Sequence, residues 1–168
     1  ALLGREGGAD LMDADLVTTR LGEAGGMLRD YQVTGVQWLE RLARQGRGAL
    51  LADDMGLGKT LQTISVLRLL ADQDGLACPS LVICPKSLIV NWQSELERFA
   101  PRLKVLPIVG DGRQSSFKKI ADFNVILTTY QLVVRDLDEY NSVRFRAIVL
   151  DEASYIRNAE TEASKAIR

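Results

Sequence analysis

Unbroken apolar runs and spaced apolar positions alternate along this chain. Gly48 to Ala52, Leu81 to Cys84, Val105 to Val109, Val125 to Thr128 and Ala147 to Leu150 are short and free of interior charge, as strands buried in a parallel sheet are. Between them the apolar positions recur every three or four residues. Val36, Leu39 and Leu42 share one face, as do Leu61, Ile64, Leu67 and Leu70, and then Ile89, Trp92, Leu96 and Phe99, which predicts three amphipathic helices. Their ends carry the expected punctuation. Asp30 caps the first and Gly46 stops it; Gly75 to Pro79 ends the second; Ser87 caps the third and Pro101 closes it. Shorter helices are predicted around Ser115 to Ile120 and from about Gln131 to Glu139. Four or five strands alternating with helices predict an α/β fold, a mainly parallel sheet with helices on both faces and ligands at the strands' carboxyl ends.

Residues 1–26 break this rhythm. Six glycines, Gly4, Gly7, Gly8, Gly22, Gly25 and Gly26, punctuate a stretch with no sustained period, so it reads as an irregular lead-in to one domain over residues 27–168.

Two of the strand ends carry chemistry. The first apolar run feeds into Asp53-Asp54-Met55-Gly56-Leu57-Gly58-Lys59-Thr60 and then into a helix, the order of a phosphate-binding loop. Small residues there let successive N–H groups, Leu57 among them, curl around phosphates, and the following helix aims its positive end at them. Lys59 would reach the β- and γ-phosphates and Thr60 would ligate Mg²⁺. The last apolar run ends in Asp151-Glu152. A triphosphate with Mg²⁺ needs an anionic oxygen near the ion's water shell, and an attacking water needs a neighbour to orient it. Asp151 is assigned the metal and Glu152 the water.

Composition and charge narrow the classes. At 168 residues with 46% hydrophobic content, the chain can build a real core. A formal net charge of −1 gives no global basic footprint, so any contact with nucleic acid must be local. The chain has two cysteines, Cys78 and Cys84, and no histidine, which leaves neither a zinc site of usual composition nor a disulfide framework. Arg41, Arg44 and Arg47 line one side of a helix and read as a solvated face. Trp92 falls within its apolar stripe and reads as core. The apolar stretches are strand-sized, so neither membrane insertion nor export is expected.

The residues flanking the two motifs resemble one family. Leu28-Arg29-Asp30-Tyr31-Gln32 with Gly35-Val36-Gln37-Trp38-Leu39, and Leu51 to Ile64 around the phosphate loop, are similar to the ATPase core of SWI/SNF-type helicase-like proteins. Leu81 to Leu88 with Asn91-Trp92, then Leu127-Thr128-Thr129-Tyr130, then Asp151-Glu152-Ala153 with Ile156-Arg157-Asn158 follow in the family's order. The resemblance covers about residues 27–168 and implies a RecA-like P-loop NTPase lobe. It also implies DNA-stimulated ATP hydrolysis with Mg²⁺, coupled to movement along duplex DNA and to remodelling of protein–DNA complexes, hence an intracellular protein that works with DNA. By the same resemblance Gln32 contacts the adenine edge, Gly56, Gly58, Lys59 and Thr60 hold the phosphates and Mg²⁺, and Lys86, Ser87, Thr128, Thr129 and Tyr130 line the DNA track. Ser87 as a mere cap, and Thr128 with Thr129 as a mere strand end, stand as the structural alternatives. Asp30, Asp53 and Ser154 depart from the family pattern, and one of Asp53 and Asp54 is expected to bind a basic side chain and hold the loop closed without nucleotide. A second RecA-like lobe from the same parent chain is expected to supply an arginine finger, so these residues alone should turn over ATP poorly.

Overall fold

In the computed structural model, which describes residues 11–52, 56–74 and 78–156, the chain divides into two compact units, Ala1–Leu69 and Leu70–Arg168. The first unit is helical. Its elements are α1 (Ala14–Leu21), α2 (Glu23–Gly26), α3 (Asp30–Arg44) and the larger part of α4 (Lys59–Asp74). Residues 14–26 therefore correct the expectation of an irregular lead-in. The side chain of Asp13 accepts from the Asp15 N–H at 2.8 Å, which starts α1, and Val17 and Leu21 are fully buried. Capping and burial outweigh the glycines here. Arg68 on α4 donates to the Leu21 carbonyl at 2.7 Å, tying α4 to the end of α1.

The start of α3 also differs in detail. Asp30 is the first helical residue and Arg29 holds the cap position; the cap bond comes from the Gln32 side chain, whose Oε1 accepts from the Arg29 N–H at 2.9 Å. Asp30 instead puts its charge in the first turn, where the helix dipole favours it. The arginine stripe is partly committed, since Arg44 pairs at 2.9 Å with the fully buried Glu40.

The second unit is built on a four-stranded, all-parallel sheet in the order β2-β3-β1-β4. Its strands are β1 (Ser80–Ile83), β2 (Val105–Pro107), β3 (Val125–Thr128) and β4 (Ile148–Leu150). Every residue of β1 and β3 is buried, so these central strands are covered on both faces. The crossovers carry α5 (Ile89–Phe99), α6 (Gln114–Phe117), α7 (Tyr130–Arg135) and α8 (Leu137–Asn141). Leu81, Ile83, Ile108, Ile126, Val133 and Tyr140 form the centre of its core.

Three expected elements come out differently. Gly48–Ala52 forms no strand, and Leu50 is 76% exposed: an apolar run becomes a strand only when a neighbour takes its backbone groups, and no described residue does so. Among the described residues β4 is an edge, not the fully buried strand its composition suggests, because it pairs there with β1 alone, and Ile148 is 54% exposed. The helix expected over 131–139 splits at Asp136, which ends α7 and precedes α8. Arg113 grips that carboxylate through two hydrogen bonds, at 2.6 Å and 2.9 Å, an ion pair buried on both sides. Asp53 to Met55 and Arg157 to Arg168 lie outside the described residues, and with them the proposed Asp53 or Asp54 clasp and the end of the last motif.

Candidate functional site

Gly56 and Gly58 both adopt positive φ, +84° and +73°, and α4 begins immediately afterwards at Lys59. Two such glycines bend the chain so that backbone N–H groups can converge on an anion at a helix N-terminus. Gln32 holds this bend in place. Its amide donates to the Leu57 carbonyl at 3.1 Å while its oxygen serves the Arg29 N–H, and Tyr31 adds a longer bond to the same carbonyl at 3.3 Å. A Cβ on Gly58 would collide with the Gln32 amide. In this structure both polar ends of Gln32 are therefore engaged with the backbone. Lys59 and Thr60 form the first turn of α4, half-buried.

The acidic turn belongs to the second unit. Parallel pairing sets Ile83 beside both Leu150 and Thr128, so three carboxyl ends open on one side of the sheet. That brings Cys84 to Ser87, Thr129 to Tyr130 and Asp151 to Glu152 together, at the edge where parallel sheets bind ligands. Asp151 is anchored at every polar atom. Its N–H donates to the Ile83 carbonyl at 2.9 Å, its carbonyl accepts from the Tyr130 hydroxyl at 2.7 Å, and its Oδ2 accepts from the Trp92 indole N–H at 2.8 Å. The fourth bond is local, from the Glu152 N–H to Asp151 Oδ1 at 3.0 Å. Glu152 itself is exposed and left-handed, with φ +49°, a conformation that a non-glycine residue adopts at a cost and that clusters at functional sites.

This environment also tunes its neighbours. Burial, then the charge of Asp151, pushes the Cys84 thiol up to about 12; burial, then Asp151, Cys84 and Glu152, pushes the Tyr130 phenol up to about 12. Both stay protonated near neutrality. Cys84 is thus a small buried residue at a strand end, as its sequence context suggests.

The five residues expected on the DNA track separate into two groups. Lys86 and Ser87 are exposed in a short 3₁₀ turn, Lys86–Leu88, which Cys84 and Pro85 separate from β1. Ser87 does not cap α5, since Leu88 holds that position and no side-chain cap bond is made. The side chains of the other three are buried and hydrogen-bonded within the fold. Thr128 is fully buried, its hydroxyl donating to the Ile108 carbonyl at 3.1 Å and accepting from Tyr140 at 2.8 Å. Thr129 is buried and accepts from the Leu132 N–H at 3.4 Å, capping α7. Tyr130 is buried and spends its hydroxyl on Asp151. Trp92, read from periodicity as core, turns out to touch the acidic turn. Only its ring nitrogen distinguishes it from the other apolar residues of the stripe.

Among the described residues no three His, Cys, Asp or Glu side chains gather into a self-contained metal site. The donor set instead suits an ion that arrives with phosphate: Mg²⁺ keeps several waters and takes one or two carboxylates, and the Asp151 carboxylate retains lone pairs beyond its two hydrogen bonds.

Comparison with known proteins bears on the same residues. The profile of the SNF2-related domain matches residues 31–168. The Sulfolobus solfataricus SWI2/SNF2 ATPase core in complex with dsDNA superposes with a TM-score of 0.75 at 44% identity, over 83% of this chain and 29% of that one. The chromatin-remodelling ATPase INO80 of Sclerotinia sclerotiorum is 37% identical over 95% of this chain, and that of Debaryomyces hansenii 40% identical over 83%. This chain spans 10% and 11% of the length of those two relatives. With its parallel α/β sheet, its glycine-bent loop ahead of α4 and its acidic turn after β4, the chain belongs to the SNF2-related domain family.

Proposed function

We propose that this chain is the ATP-binding first RecA-like lobe of a DNA-dependent ATPase that couples hydrolysis to movement along duplex DNA and to remodelling of protein–DNA complexes. The single observation that carries the reading is Asp151, held by four hydrogen bonds at the carboxyl ends of β4, β1 and β3 and followed by the left-handed Glu152. Membership in the SNF2-related family gives that geometry its chemistry.

In this reading the backbone N–H groups from Gly56 to Thr60 and the Lys59 ammonium hold the phosphates of ATP. The Thr60 hydroxyl and the Asp151 carboxylate hold Mg²⁺, which when bound neutralises charge on the phosphates. Glu152, whose side chain is exposed, orients the attacking water and accepts its proton. Gln32 reads the adenine edge once its amide leaves the Leu57 carbonyl, so nucleotide entry is coupled to a change at the phosphate loop. Lys86 and Ser87 contact DNA phosphates, a mode of binding that ignores base sequence and suits movement over any sequence. A second RecA-like lobe in the parent completes the site. The protein then works where DNA is, in a nucleus or a bacterial nucleoid; no described helix is long and apolar enough to cross a membrane.

The roles of the lysine and the glutamate are separable by binding and turnover measured side by side in the full-length parent. Lys59→Ala should weaken Mg²⁺-nucleotide binding itself. Glu152→Gln should bind nucleotide as the parent does and lose turnover by about 10²-fold or more, the scale of a lost general base. Equal binding losses in both variants would contradict this division of labour.

A further inference from the structure

Trp92 satisfies two requirements that conflict in most buried residues. Its ring packs on the inward face of α5 with Ile89 and Leu96, and only 2% of the residue is exposed. A buried indole N–H needs an acceptor. A backbone carbonyl would serve, yet the acceptor here is a carboxylate oxygen of Asp151, 59 residues away in sequence, at 2.8 Å. Hydrogen bonds to an ionised acceptor are about twice as strong as neutral ones. Packing alone would be met by phenylalanine.

We propose that Trp92 is a positioning residue for the hydrolysis site, its indole N–H fixing the orientation of the Asp151 carboxylate toward Mg²⁺. The inference rests on the functional reading above and adds a residue to it. Asp151 Oδ1 is held from one side by the Glu152 N–H and Oδ2 from the other by Trp92, so the plane of the carboxylate is set from both ends. The remaining lone pairs then face a fixed direction before any ion arrives. Without the indole bond the carboxylate can rotate about its Cβ bond, and part of the binding free energy goes into restoring its orientation. Trp92 has a second consequence. It sits one turn into the helix that follows the Lys86–Leu88 turn, so the helix next to the proposed phosphate contacts is bonded to the acidic turn.

The test is Trp92→Phe in the full-length parent, which keeps an aromatic ring in the core and removes the donor. Nucleotide affinity is measured by calorimetry with Mg²⁺ and with chelator, alongside the thermal unfolding midpoint and the split between kcat and KM. Loss of an outer partner of a ligating carboxylate costs about 10–100-fold in metal affinity or activity. The expected result is a fall of that size in the Mg²⁺-dependent gain in affinity, with affinity in chelator unchanged because the phosphate loop is intact. Unaltered Mg²⁺ dependence in a folded Trp92→Phe protein overturns the inference. Should that variant unfold, benzothienylalanine at position 92 preserves the bicyclic shape and replaces the N–H with sulfur; the same two outcomes apply to it. A parent protein with no Mg²⁺-dependent nucleotide binding at all overturns the functional reading, and this inference with it.

Discussion

Glu152 shows how much a single residue can be asked to carry. Its left-handed backbone, φ +49°, costs about 1–2 kcal/mol for an L-residue with a side chain, and nothing in the hydrogen bonding of the turn requires a carboxylate there. Glycine would relieve that strain while losing about 0.5–1 kcal/mol to chain entropy. Glu152→Gly should therefore leave stability unchanged or raise it by up to about 1.5 kcal/mol in denaturant unfolding, while ATP turnover disappears. A loss of stability of that size would mean that the turn is not strained. At this scale the sequence is informative about residue types and silent about aim. Two acids after an apolar run mark the turn, but periodicity reports only that Trp92 faces inward, not that its N–H meets Asp151. The hydroxyls of Thr128 and Tyr130 make the same point. Their motif positions name them, but only the fold shows that these hydroxyls donate to the Ile108 and Asp151 carbonyls.

Among elements, the exposed turn Lys86–Leu88 contrasts with the buried strand before it and the amphipathic helix after it. Its position at the carboxyl end of β1 leaves Lys86 facing solvent, where one phosphate contact would release about one condensed counterion. Lys86→Ala should weaken DNA binding by the parent protein equally on unrelated duplex sequences and reduce the salt slope by about 1. A sequence-dependent loss would point to base contact instead. Helices with a clear apolar stripe were legible, as were the central strands β1 and β3. Elements whose identity depends on a neighbour were not. The runs at Gly48–Ala52 and Ala147–Leu150 look alike in composition, yet among the described residues only the second finds a partner, and on one side only. Conversely, α1 is legible in hindsight from Asp13 and its inward Val17 and Leu21, a signal submerged among glycines.

For the whole molecule, alternation of strand-like and helix-like stretches was sufficient to predict an α/β fold with a parallel sheet, because right-handed crossovers leave few other ways to bury such runs. The fold then places the carboxyl ends of β1, β3 and β4 on one side, which no single motif could specify. The proposed function stands or falls on one coupling, between ATP hydrolysis and contact with duplex DNA. The most direct measurement is the ATP turnover of the full-length parent with and without duplex DNA, beside its Glu152→Gln variant. Turnover should rise severalfold or more with DNA and be abolished in the variant; turnover that is indifferent to DNA, or that survives Glu152→Gln, would contradict the proposed function.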